Sequence, residues 1–170
     1  LKSSSPPSPG DRLVVGWREW VGLPDLGIDA IKVKVDTGAR TSSLHAERVR
    51  IERDAEGQRW ARFIVHPTQR SRVPEVETRA LLLDERLIRS SNGAIERRPV
   101  IHTTVIVGRH RWTVEVTLAR RDLMGFRMLL GRTAIRGHAV VDPGASYVTR
   151  RLKKRKRSPG ATERPSGQSG

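Results

Sequence analysis

Ile31-Lys32-Val33-Lys34-Val35-Asp36-Thr37-Gly38-Ala39-Arg40-Thr41 is the stretch on which the reading turns. Ile31, Val33 and Val35 alternate with Lys32 and Lys34, a period of two that marks a half-buried strand. The strand runs directly into Asp-Thr-Gly. A carboxylate at the end of an apolar strand is held in place by the strand. The glycine two residues on lets the chain turn and brings backbone N–H groups up to that carboxylate. Taken alone, the tripeptide also reads as an ordinary strand-ending turn, because Asp and Gly are common turn residues.

Outward from this stretch, the chain has 170 residues, enough for one domain with tails. It has no cysteine, so disulfides and thiolate metal sites are excluded. No apolar run approaches the ~20 residues of a membrane helix. Residues 1–12 read as a disordered Ser/Pro-rich leader without the apolar block of a signal peptide, and the expected location is the cytoplasm. The net charge is +15. Part of it sits in the run Arg150, Arg151, Lys153, Lys154, Arg155, Lys156 and Arg157, within a tail (150–170) that reads as disordered. The body is basic without that run, and a basic surface concentrates acidic partners.

Between the tails, residues 13–149 read as one all-β domain. Strands are expected at Leu13–Trp17, Ile31–Val35, Leu44–Arg53, Arg59–His66, Ile95–Val107 with a break at Pro99, Trp112–Leu118, Phe126–Leu130 and Ala139–Val141. Arg79–Arg89 reads as a strand or a short helix. Asp54–Gly57, Ser90–Gly93 and Gly108–His110 read as turns, and Asp142-Pro143-Gly144 as a strand stop. Thr133–Gly137 has room for one helical turn. Many short strands, tight turns and little helix predict a small closed β-barrel with one short helix and disordered termini.

Several segments in one order also resemble a known family. Val35-Asp36-Thr37-Gly38-Ala39-Arg40-Thr41-Ser42-Ser43-Leu44-His45-Ala46 is similar to the active-site segment of the bacterial retropepsin-like aspartic peptidases, long labelled ATP-dependent zinc proteases and often encoded beside glutamate ligases that modify a ribosomal protein. Gly16–Pro24, Ser90–Gly93, Glu96–Pro99 and Met128–Thr133 agree as well. The resemblance implies a retropepsin-type barrel and an aspartic endopeptidase. It implies that Asp36 is catalytic, with Thr37 and Gly38 completing its triplet, and that Ser90–Pro99 is a flap. It places substrate contacts at Ala39, Arg40, Ser91, Asn92, Gly93, Arg97, Arg98 and Arg132. Two departures stand out. Residues 54–80 look inserted, and Arg40 is basic where viral relatives carry an acidic residue that pairs with the arginine aligned to Arg132.

Aspartic proteolysis needs two carboxylates sharing one proton. The chain has one Asp-Thr-Gly; Asp25-Leu26-Gly27 and Asp142-Pro143-Gly144 lack the hydroxyl residue. The second carboxylate is therefore expected from a second copy in a twofold homodimer, with Thr37 bonding across the axis. Ser42 and Ser43 could bond across the axis as well but read rather as solvated strand-edge hydroxyls, and Trp17, Trp20, Trp60 and Trp112 read as core rather than as stacking platforms. Arg40, Arg97, Arg98 and Arg132 would give the cleft a positive field for acidic or glutamate-tailed protein ends. No cofactor and no metal are expected. His45, His66, His102, His110 and His138 form no His-Glu-x-x-His, His45 being the best ligand candidate, and no Gly-x-x-x-x-Gly-Lys-[Ser/Thr] loop is present to cradle phosphates. The alternative is a non-catalytic basic module that binds RNA or the ribosome, with the tail as the contact.

Overall fold

The computed structural model describes residues 9–90, 92–120 and 125–149. Ser91 and the basic tail from residue 150 lie outside the described residues, as does the leader up to residue 8. Ten strands appear in chain order: β1 (Leu13–Leu23), β2 (Ile28–Asp36), β3 (Ser42–His45), β4 (Glu47–Arg53), β5 (Arg59–Val65), β6 (Val76–Arg89), β7 (Ile95–Val107), β8 (His110–Ala119), β9 (Met128–Gly131) and β10 (Ala139–Ser146). One short helix, α1 (Arg132–Ile135), follows β9.

Six strands close a barrel in the order β1-β2-β9-β3-β8-β7, with Gly22 of β1 opposite Ile106 of β7 at the seam. The alternation read in β2 is the packing pattern. Ile31, Val33 and Val35 face a core that includes Val15, Leu44, Val105, Val116 and Leu130, while Lys32 and Lys34 face outward. Burial of these aliphatic side chains is the main stabilising term, about 1.5–3 kcal/mol for each one fully buried.

Outside the barrel, β6, β5 and β4 extend the sheet beyond β7, and β10 adds a parallel strand to β1. The segment that looked inserted thus builds β5 and the start of β6. β6 and β7 pair from Leu82↔Ile101 to Arg89↔Ile95 and form the long hairpin expected for a flap. Its tip is closed by bonds from Gly93 N to Ser90 O (2.9 Å) and Ser90 N to Ala94 O (2.8 Å).

Several expectations are corrected. Arg79–Arg89 is strand throughout. Pro99 does not interrupt β7 and lies opposite Glu85. Leu44–Arg53 is two strands, because Ala46 carries the chain from the barrel to the extension. β10 passes through Asp142-Pro143-Gly144. The register jumps there from Gly16↔Asp142 to Arg18↔Ser146, so the tripeptide makes a bulge rather than a stop. The four tryptophans are half-buried, and Trp112 packs against the core as expected. Each shows an edge or face to the surface, and Arg18, Lys32 and Arg79 lie over three of the rings. Among the described residues no helix is long and apolar enough to cross a membrane.

Candidate active site

Asp36 is the last residue of β2 and lies opposite Gly131 of β9 in a parallel ladder. Its side chain is 29% exposed. Oδ1 accepts the backbone N–H of Gly38 at 3.0 Å and of Ala39 at 3.2 Å. Oδ2 faces outward, with Lys34 Nζ 4.0 Å away. A Cβ on residue 38 would stand 3.2 Å from Oδ1, tighter than ordinary contact, so glycine lets the loop wrap the carboxylate closely. Thr37 and Arg40 are exposed on the rim of this loop.

The loop is braced from behind by the start of α1. Arg132 N donates to Ala39 O (2.7 Å) and Thr133 N to Arg40 O (3.1 Å). Thr133 Oγ1 donates to Arg40 O at 2.9 Å. The Arg132 guanidinium donates to the carbonyls of Thr37 (3.0 Å) and Gly38 (3.4 Å). The doubt raised by a basic residue at position 40 is thereby answered: Arg132 bonds backbone carbonyls instead of a carboxylate. Gly131 is the crossing point. A Cβ there would lie 2.5 Å from the carbonyl of Thr41, so no larger residue fits without moving the loop.

Ser42 and Ser43 are not solvated hydroxyls, since they are 0% and 7% exposed. Ser42 Oγ accepts the N–H of Gly131 at 3.0 Å, and Ser42 O accepts the hydroxyl of Thr117 at 3.2 Å. Period-two reasoning missed this because both serines sit in a four-residue strand buried on every side, where alternation carries no signal.

The expected cationic group is divided. Arg40 and Arg132 belong to the loop. Asn92, Gly93, Arg97 and Arg98 belong to the hairpin and its tip, where Arg98 is bound twice to Glu96, both contacts at 3.1 Å. An open cleft of about 560 Å³ takes in Arg40 of the loop but neither Asp36 nor Arg132, and none of Asn92, Gly93, Arg97 and Arg98 lines it. It is lined by Arg40 and Thr41 from the loop, Arg86 from β6, Glu115 from β8, and Thr133 and His138. Arg86 hydrogen-bonds Glu115 and Asp84, which raise its pKa above the ordinary guanidinium value. His138 stacks on Trp112 at 4.7 Å, and burial lowers its pKa. Asp25 and Asp142 are engaged elsewhere, accepting the N–H of Thr104 (2.7 Å) and of Gly144 (2.9 Å).

His45, the best metal candidate by sequence, is wholly buried and faces Glu47 at 3.4 Å. His66 lies 3.6 Å from the same carboxylate, and the Arg72 guanidinium donates to it at 2.8 Å. Burial works to raise the Glu47 pKa, but hydrogen bonds from Arg72 and His45 and the nearby positive charges win, bringing it down to about 2. The arrangement is a clasp joining β4 to the loop after β5. Sequence spacing did not reveal it, since its members come together only in the folded sheet.

Comparison with known proteins bears on the family and the fold. A profile of the RimB-like family, described as retropepsin-like aspartic endopeptidase RimB, matches residues 14–152. A protein of Shewanella halifaxensis named probable alpha-L-glutamate ligase is 46% identical over 137 residues, covering 81% of this chain and 30% of its own length. One of the same name from Parasynechococcus marenigrum is 44% identical over 137 residues, covering 80% of this chain and 29% of its own. The chain thus spans under a third of the length of these relatives. The crystal structure of Lpg0085, a Legionella pneumophila protein of unknown function, is similar with a TM-score of 0.66 and 25% identity, covering 81% of this chain and 98% of that one.

Proposed function

Because the chain belongs to the RimB-like family of retropepsin-like aspartic endopeptidases, we propose that it hydrolyses peptide bonds as a twofold homodimer in which each copy supplies one Asp36. One observation carries the reading. Asp36 is held through Oδ1 by two loop amides, while Oδ2 takes neither of them and lies 4.0 Å from Lys34 Nζ on a partly exposed side chain. The chain has a single Asp-Thr-Gly, so one copy holds half of a dyad.

With two copies face to face, the paired carboxylates share a proton, because like charges at ~3 Å cannot both ionise. The ionised member takes a proton from water as it attacks the scissile carbonyl carbon. The protonated member donates to the carbonyl oxygen, and as the tetrahedral intermediate collapses the C–N bond breaks, the amine leaving with the proton that was taken from water. The dyad titrates as a unit, so neither copy owns either role. The amides of Gly38 and Ala39 keep each carboxylate aimed, and Arg132 holds the carbonyls behind them. The flap hairpin closes over the peptide.

The basic body favours acidic peptides, and glutamate-tailed protein ends are the substrate class we favour. A segment like this chain occurs within proteins named for glutamate ligation, and a ligase that adds glutamate makes the chemistry such a peptidase would remove. The test is cleavage of matched acidic and neutral peptides by the full chain at several protein concentrations. The reading predicts activity that rises faster than linearly through the dimerisation range and is lost in Asp36→Asn. First-order cleavage by a species of monomer mass would overturn it.

A further inference from the structure

One cation beside Asp36, Lys34, is not among those the sequence suggested. On the outer face of β1 and β2, Arg18 stands directly opposite Lys34, and Trp20 opposite Lys32. Lys32, Lys34 and Asp36 alternate along β2, so all three leave the same face, and Lys34 Nζ lies 4.0 Å from Asp36 Oδ2.

Arg18 is held rather than free to swing. Its Nε donates to Ser146 Oγ at 3.1 Å. Its guanidinium carbon lies 4.6 Å from the ring centre of Trp17 and 5.1 Å from that of Tyr147, within the range of cation–π attraction. Tyr147 has a φ of 53°, a conformation costly for a bulky residue and kept only where neighbours enforce it. The enforcement is visible. Tyr147 N donates to Arg18 O at 2.9 Å, and buried Glu19 holds the next two residues by the N–H groups of Val148 (2.8 Å) and Thr149 (3.3 Å). Among the described residues, no carboxylate neutralises Arg18.

A flat guanidinium fixed between two rings and left without a counter-ion is a preformed receptor for a carboxylate. Holding it in place beforehand removes most of the ordering cost of binding. We propose that Arg18 and Lys34 form a carboxylate-binding subsite that receives an acidic side chain of the substrate next to the bond presented to Asp36. This rests on the peptidase reading. An extended peptide repeats its side chains on one face every ~6.6 Å, the same step that separates Lys34 from Lys32 and from Asp36 along β2. A polyglutamate or polyaspartate stretch therefore finds a second cation, Lys32, in register with the first. Phosphate groups would meet the same charges, but the stripe ends on Asp36, which favours a peptide over a nucleic acid.

The experiment compares two peptides identical except for a run of Glu or Gln, using the full chain and the variants Arg18→Met and Lys34→Met. The wild type is expected to prefer the Glu peptide in kcat/KM by roughly tenfold or more, from one charge-assisted contact, and to lose much of that preference at high salt. Each variant should cut the Glu-to-Gln ratio by about threefold or more, a readout that general loss of folded protein does not move. Lys34 is 41% exposed, so its variant keeps the test open if removing the packed Arg18 prevents folding. A ratio unchanged in both variants overturns the subsite and leaves the peptidase reading intact. If the wild type cleaves neither peptide, that reading fails, and binding of a labelled Glu peptide and a single-stranded RNA to Asp36→Asn decides the subsite. Weaker peptide binding in Arg18→Met combined with Asp36→Asn supports it. Tighter binding of the RNA, with that affinity alone sensitive to Arg18, overturns it.

Discussion

Glu19 and Asp36 both accept backbone amides, and they end in opposite conditions. Glu19 is 1% exposed and both its oxygens are used. Oε1 takes the N–H of Gly16 and of Val148, both at 2.8 Å, and Oε2 takes the N–H of Thr149 at 3.3 Å and its hydroxyl at 2.9 Å. Asp36 has two amides on one oxygen and leaves the other at the rim beside Lys34. A saturated buried carboxylate fastens chain to chain. A half-satisfied one is aimed by the same kind of bond but keeps a reactive oxygen. Between these two, burial and the use of both oxygens separate the fastening from the exposed carboxylate, since both accept amides.

That contrast can be broken at either end. Asp36→Asn removes the base and the shared proton while keeping the shape, and should lower kcat/KM at least ~10³-fold with the melting temperature nearly unchanged. Measurable turnover near the wild-type rate would move the chemistry away from Asp36. Gly131→Ala should come next. A methyl 2.5 Å from the Thr41 carbonyl forces the braced loop to move and should cost about 3 kcal/mol, read by denaturant unfolding. A silent substitution would mean that the crossing is looser than drawn. Glu19→Gln puts an amide group against N–H donors and should cost about 2–3 kcal/mol. Activity per folded molecule should fall far less than in Asp36→Asn.

The Glu47 clasp sharpens the comparison through pH. Its folded pKa is depressed from the ordinary 4.5 to about 2. Its contribution to stability is therefore complete above about pH 4.5 and is lost as pH falls towards 2. Melting temperatures of the wild type should drop across that window more steeply than those of Glu47→Gln, and parallel curves would refute the clasp. The smallest effect is expected from Ser42→Ala, which leaves the N–H of Gly131 without an acceptor and should cost about 1 kcal/mol.

The barrel was legible in the sequence wherever one face of a strand meets water. Ile31, Val33 and Val35 announced β2, and the tip at Ser90–Gly93 announced its hairpin. Legibility failed where the environment is uniform or remote. β3 is buried on every side, so Ser42 gave no alternation to read. β10 passes a Pro-Gly pair because a bulge absorbs it. At the site, Asp36, Gly38, Arg40 and Arg132 were readable as a loop and its support. Arg98 bonds Glu96, two residues away, a pairing within one strand that the reading for cleft cations did not weigh. Arg18 and Lys34 went unnoticed because their opposition is a matter of register between two strands, and the tyrosine that fixes Arg18 comes from the far end of the domain.

The support behind Asp36 reaches across the chain, with Arg132 bonding a carbonyl 95 residues earlier. On a ribosome the aspartate emerges long before the residues that aim it. The half-made polypeptide thus carries an acid without its mount, and the loop takes its shape only when nearly the whole domain has left the exit tunnel. A message broken before the codon for Gly131 would yield a protein bearing the motif but unable to shape it.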